Sequence, residues 1–192
     1  MADLWLIAGL GNPGPKYERT RHNAGFWFLE RLAERNRLAL KPEKKLHGRG
    51  VRGVVEGAEA VLLAPETFMN DSGRSLRAAA DFYRIAPERV LVVYDELDLP
   101  PGTARFKRGG GHGGHNGLRS IFSHLGTPEF WRLRLGIGHP GIAAMVTPWV
   151  LGRASAEDEA ATIDAIERAL GVLPDFLAGR DGEAMKLLHA KP

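Results

Sequence analysis

The chain has 192 residues, 44% of them hydrophobic, and carries 26 Lys and Arg against 23 Asp and Glu. That length supplies one well-buried core and fits one domain better than two. It contains no cysteine, which excludes disulfides, thiolate nucleophiles and sulfur-ligated metals; no apolar run approaches the roughly 20 residues of a membrane span, and Met1-Ala2-Asp3 opens on an acid rather than a basic leader, so a cytoplasmic protein is expected.

Residues 4–8 form a short apolar run ending in Gly9-Leu10-Gly11-Asn12-Pro13-Gly14, the pattern of a buried strand entering a tight turn. His22 and Asn23 precede a helix reaching about residue 37, with Phe26, Leu29, Leu32 and Ala33 on one face and Asn23 as its cap. The segment from Lys16 to Arg52 holds eleven Lys or Arg against four Glu, which fits a nucleic acid or phosphate partner and fits a solvated basic helix face equally well. Residues 48–56 and 60–64 read as a hairpin turning at Gly57-Ala58-Glu59, and Pro65 stops its second strand before Glu66-Thr67-Phe68-Met69-Asn70.

Asp71 or Ser72 caps a helix over 73–83, and Val90-Leu91-Val92-Val93-Tyr94 is the clearest central strand, running straight into Asp95, Glu96 and Asp98. A short strand over 103–107 leads to Gly109-Gly110-Gly111-His112-Gly113-Gly114-His115-Asn116-Gly117. A helix over 116–125, a strand over 131–137, a helix over 157–170 and a shorter one ending near residue 188 follow. Strands alternating with helices predict an α/β fold: a single three-layer domain spanning 1–192, with a mixed, mostly parallel twisted sheet flanked by helices.

Six glycines, two histidines and an asparagine in nine residues are not what a hydrophobic core requires. Glycine tolerates positive φ and lets a backbone approach a ligand, so the run reads as a ligand-facing loop. Its spacing matches neither the dinucleotide-binding fingerprint nor a Walker A loop. His22 is a candidate general base because imidazole exchanges a proton near neutral pH, and Asp95 is the natural group to orient it. Taken alone, the same two residues fit a locally bonded histidine at a helix start and an acid capping a loop. Ser72, Ser75 and Ser120 lie in no G-x-S-x-G elbow. His112, His115 and His139 lack the further ligands that zinc demands, and no metal or cofactor is expected.

Three separated motifs, Gly9 to Gly14 with Thr20-Arg21-His22-Asn23-Ala24-Gly25, Thr67 to Asn70, and Asp95-Glu96-Leu97-Asp98-Leu99-Pro100-Pro101-Gly102 with the glycine-rich loop, occur in the order found in bacterial-type peptidyl-tRNA hydrolases. The chain resembles that family over nearly its whole length, through Gly136-Ile137-Gly138-His139-Pro140-Gly141. The resemblance implies hydrolysis of the ester between a peptide and the 3′-terminal ribose of tRNA by water activated at His22, with Asp95 as its partner and Asn12 placing the scissile end. It implies substrate contacts by Tyr17, Phe68, Met69, Asn70, His115 and Asn116. A clamp on the 5′ phosphate of the tRNA acceptor end is implied at Lys107 and Arg134, and Arg105 alternates with Lys107 so that both project from one strand face. It further implies a monomer without an obligatory protein partner, and a mobile cover around 138–155. Asp71 and Lys186 depart from the family pattern, at the cleft wall and in the tail. A non-catalytic RNA-binding or splicing-helper protein on the same scaffold is the alternative; Asn12, His22, Asn70, Asp95 and Asn116 are all present and favour the enzyme.

Overall fold

Apolar residues on both faces of a strand force it into the interior of a layered fold, and the four most apolar strands of this chain occupy the middle of its sheet. A computed structural model describes residues 3–190. Its strands β1 (Trp5–Gly9), β2 (Lys41–Glu43), β3 (Gly48–Val55), β4 (Ala58–Pro65), β5 (Val90–Glu96), β6 (Ala104–Arg108) and β7 (Trp131–Gly136) form one sheet in the order β2-β3-β4-β1-β5-β7-β6. The central strands β4, β1, β5 and β7 are parallel neighbours. Antiparallel pairings of β2 with β3, β3 with β4 and β6 with β7 make the sheet mixed.

Helices α1 (Ala24–Arg35), α2 (Ser72–Tyr83), α3 (Asn116–Leu125), α4 (Val146–Val150), α5 (Ala156–Leu177) and α6 (Asp181–His189) complete the architecture. Alternate residues of each strand serve opposite layers, as the two-residue period requires. Trp5, Ile7, Leu91, Val93, Leu133 and Leu135 share a core with α1, α5 and α6. Leu6, Ala8, Val90, Val92 and Tyr94 pack with α2 and α3 on the other face. Phe106 and Phe176 stack at 4.4 Å between centroids, tying the edge strand β6 to α5.

Three local expectations change. The sequence pattern ends the long tail helix at residue 170, but α5 runs to Leu177 through Pro174, because Leu173, Phe176 and Leu177 are buried and their packing offsets the lost backbone bond. Strand β2 is additional: three residues with a central proline, paired only at the sheet edge. Asn23 precedes α1 without a side-chain cap bond, and Asp71 precedes α2 in the same way. Lys186, which the resemblance marks as a departure in the tail, lies exposed on α6.

The parallel strands β1, β4, β5 and β7 end at the same sheet edge, where loops following their carboxyl ends converge. At that edge α1 lies directly against the sheet. A Cβ on Gly25 would overlap the backbone of Leu10 and Val93, and one on Gly9 would overlap the backbone of Gly25. The close approach requires glycine at both positions.

Candidate active site

Asp95, near the end of β5, is 2% exposed and uses both carboxylate oxygens. Oδ2 lies 2.7 Å from His22 Nδ1, and Oδ1 lies 2.8 Å from His115 Nε2. His115 caps α3: its Nδ1 accepts from the backbone N–H of Gly117 at 3.1 Å and of Leu118 at 3.3 Å. A nitrogen that accepts carries no proton, so the proton of a neutral His115 sits on Nε2 and is donated to Asp95. Asp95, held by that donor, can only accept from His22 Nδ1. The remaining His22 nitrogen, Nε2, is left as the basic lone pair, without a hydrogen-bond partner among the described residues.

Electrostatics reinforce the arrangement. Burial opposes ionisation of Asp95, yet His22 and His115 outweigh it and hold the carboxyl below its ordinary range. Burial likewise opposes charging of His22, and the adjacent carboxylate more than compensates, raising the imidazole above its ordinary value. Tyr94 supports the array from below, its ring edge-on to His115 at 5.1 Å between centroids.

Asn12 is fixed by a neighbour that the sequence assigned to a different task. Asn23 accepts from the Asn12 backbone N–H at 2.8 Å and donates to the Asn12 carbonyl at 3.0 Å. The side-chain oxygen of Asn12 accepts from Met69 N–H at 2.7 Å. With its acceptor engaged, Asn12 presents a side-chain amide donor, which suits an oxygen gaining negative charge. Met69 is buried, so it is a strut between two loops. Phe68 is 60% exposed and meets Tyr17 edge-on at 6.3 Å between centroids.

Asn70 and Asn116 are exposed, and neither hydrogen-bonds to the His22 cluster. Asn70 lines a cleft of about 950 Å³ with Phe68, Thr67 and His47. Asn12 lines a second cleft of about 790 Å³, and Glu66 borders both. His115, expected on the substrate side, instead has both ring nitrogens engaged internally; its position is that of a support for Asp95. His112 turns away, its ring 5.6 Å from Phe122, so the two loop histidines do not converge.

Donor atoms of His22, Asp95 and His115 lie within 4.8 Å of one another, the one such set among the described residues. Each carboxylate oxygen already faces a ring nitrogen, so these groups form a proton-bearing chain, and an ion at their centre would have to displace its hydrogen bonds.

The expected cations share one sheet face. Arg105 is paired with Arg134, and Lys107 with Arg132, across β6 and β7. Arg132 belongs to no motif in the sequence: it is 1% exposed and donates to the carbonyls of Gly111 at 2.6 Å, Gly110 at 2.8 Å and Pro128 at 2.9 Å, anchoring the glycine-rich loop. Its alternation with Arg134 in an otherwise apolar strand was the available signal. Beside His22 in the chain, Arg21 stacks on Trp149 at 3.5 Å and donates to its carbonyl, while Trp149 Nε1 donates to Gly138 at 2.9 Å. These contacts secure both ends of the 138–152 segment, whose middle exposes Ile142 and Met145.

A family profile described as peptidyl-tRNA hydrolase matches residues 6–192. A peptidyl-tRNA hydrolase of Acidithiobacillus ferrooxidans is 56% identical over 97% of this chain and 98% of its own. One from Pseudomonas putida is 55% identical over 100% of this chain and 99% of its own. The crystal structure of peptidyl-tRNA hydrolase from Acinetobacter baumannii superposes with a TM-score of 0.95 at 48% identity, covering 99% of this chain and 96% of that one.

Proposed function

This chain belongs to the peptidyl-tRNA hydrolase family of ester hydrolases, and on that premise we propose how it cleaves the bond between a peptide and the 3′-terminal ribose of tRNA. His22 Nε2 takes a proton from water, the resulting hydroxide oxygen attacks the ester carbonyl carbon, and the carbonyl electrons move onto its oxygen. Collapse of that tetrahedral species breaks the bond to the ribose oxygen, which leaves with the proton returned by His22. A peptide carboxylic acid, which loses its remaining proton to solvent, and a tRNA with a free ribose hydroxyl result, without an acyl-enzyme.

The observation that carries this reading is the 2.7 Å contact of His22 Nδ1 with a fully buried carboxylate. It fixes the tautomer, directs the other nitrogen away from Asp95 and stabilises the imidazolium formed during attack. Asn12 stabilises the developing oxyanion through its side-chain amide, while Asn70 and Asn116, with Tyr17 and Phe68, hold the peptide and terminal adenosine. Lys107 and Arg134, with Arg105 beside them, contact the 5′ phosphate of the acceptor end. The protein works as a cytoplasmic monomer and single domain, and the segment around 138–155 moves as a cover.

The test is release of peptide from peptidyl-tRNA, with a small ester and uncharged tRNA in parallel. His22→Ala is expected to lose about 10²–10⁴-fold in turnover while keeping its fold and tRNA affinity. Near-normal turnover by the folded variant overturns the mechanism.

A further inference from the structure

Glu96 follows Asp95 on β5, and its carboxylate touches the cation strip. Oε1 accepts from Arg134 Nε at 2.9 Å, and Oε2 accepts from the Asp98 backbone N–H at 3.2 Å. Both partners are mostly shielded, with side-chain exposures of 20% for Arg134 and 16% for Glu96. The carboxylate is therefore held by its own turn and grips the guanidinium from the side. Among the described residues, Nε is the only side-chain nitrogen of Arg134 with a hydrogen-bond partner. The two terminal nitrogens remain as a planar fork, the geometry that matches two oxygens of a phosphate.

Arg132 and Arg134 lie on the same side of β7, yet their guanidinium groups have different partners. That of Arg132 is occupied by the carbonyls of Gly110, Gly111 and Pro128. Arg134 sits directly across from Arg105, so without Glu96 two like charges would face each other with nothing to fix their orientation.

We propose that Glu96 is the positioning residue of the phosphate clamp: by holding Arg134 at Nε it aims the terminal nitrogens outward, and so sets the preference for tRNA that carries a 5′ phosphate. This rests on the reading of Arg134 as a phosphate contact. Contact and charge make opposite demands on Glu96. As an orienting acceptor it strengthens phosphate binding, whereas as a bare negative charge it weakens it.

Two substitutions separate these effects. Glu96→Gln removes the charge and keeps an oxygen that accepts from Nε–H; Glu96→Asp keeps the charge and shortens the side chain out of reach. The measured quantity is the ratio of kcat/KM on peptidyl-tRNA with and without the 5′ phosphate, which cancels general damage to catalysis. Glu96→Asp is expected to lower that ratio on the order of tenfold, the worth of one charge-assisted bond, through KM, and Glu96→Gln to retain it. A ratio that rises in Glu96→Gln and is unchanged in Glu96→Asp makes Glu96 a competitor of the phosphate and overturns the proposal. Arg134→Ala is the control for the premise. If it leaves the ratio unchanged, the clamp reading itself fails; if it abolishes the ratio while Glu96→Asp does not, only the role of Glu96 fails.

Discussion

Strand β5 serves two regions whose polar groups are held in contrasting ways. At Asp95 the polar atoms are buried and each oxygen is matched to a ring nitrogen within 2.8 Å. One residue on, Glu96 reaches a strip where Arg105 and Lys107 are exposed. On the proposed mechanism the inner region acts through fixed dipoles in a water-poor setting, where a displaced group costs rate. On the same reading the outer region acts through charge that salt screens, where a lost group costs affinity. Chemistry and recognition can therefore be damaged separately, although their residues are sequence neighbours.

The sharpest way to test that separation is Asp95→Asn. It removes the charge that raises His22 and leaves one acceptor oxygen where His22 and His115 each use one, so turnover should fall by about 10²-fold or more. The sign with pH follows from the base being active only when neutral. In the wild type, kcat/KM should rise with pH through a folded-state pKa above the ordinary histidine value of about 6.5. In Asp95→Asn the rise should move to lower pH and reach a lower plateau. An acid limb that stays in place would show that His22 is not the titrating base.

Lys107→Ala tests the outer region and should have a smaller effect at low salt. Each phosphate contact contributes roughly 0.7–0.9 to the slope of log affinity against log salt, so the variant should show a slope shallower by about that amount. Its single-turnover rate at saturating enzyme should remain near wild type. A rate defect that persists at saturation would merge the two regions. The smallest effect is expected from exhaustive chelation: turnover on a small ester should not change, since His22 and Asp95 supply the base without an ion. Loss restored specifically by one divalent cation would instead make the His22, Asp95 and His115 set a metal site.

Much of this organisation was legible in the sequence. The apolar run of β5 ending in Asp95 and the histidine before α1 both stand where strand and helix patterns place functional groups. What the pattern could not convey were contacts between segments. Asn23 reads as a helix cap because local spacing favours it, yet its side chain brackets the backbone of Asn12. His115 reads as a ligand-facing loop residue because of the surrounding glycines, but its ring bonds to Asp95 twenty positions away. Arg132 belongs to no sequence motif, and only the fold brings the loop carbonyls around its guanidinium. In each case polar valences are satisfied at distances that only the assembled sheet defines. Strand β2 was missed for a different reason: three residues with a central proline carry too little alternation to register.

The glycine contact beneath α1 sets a tolerance for the whole reaction centre. Gly9 and Gly25 let the helix backbone rest on the strands without an intervening side chain, and His22 approaches the sheet at the mouth of that contact. A single added methyl group would act like a shim in a machined joint, lifting the start of the helix while leaving every reacting group chemically intact. Proton transfer depends steeply on separation, so a displacement of about 1 Å is enough to slow catalysis on the order of a hundredfold. A genetic screen would score such an alanine as an enzyme knockout, although the altered position neither titrates nor touches substrate. The spacing of the base from its acid is thus inherited partly from two residues that have no side chains at all.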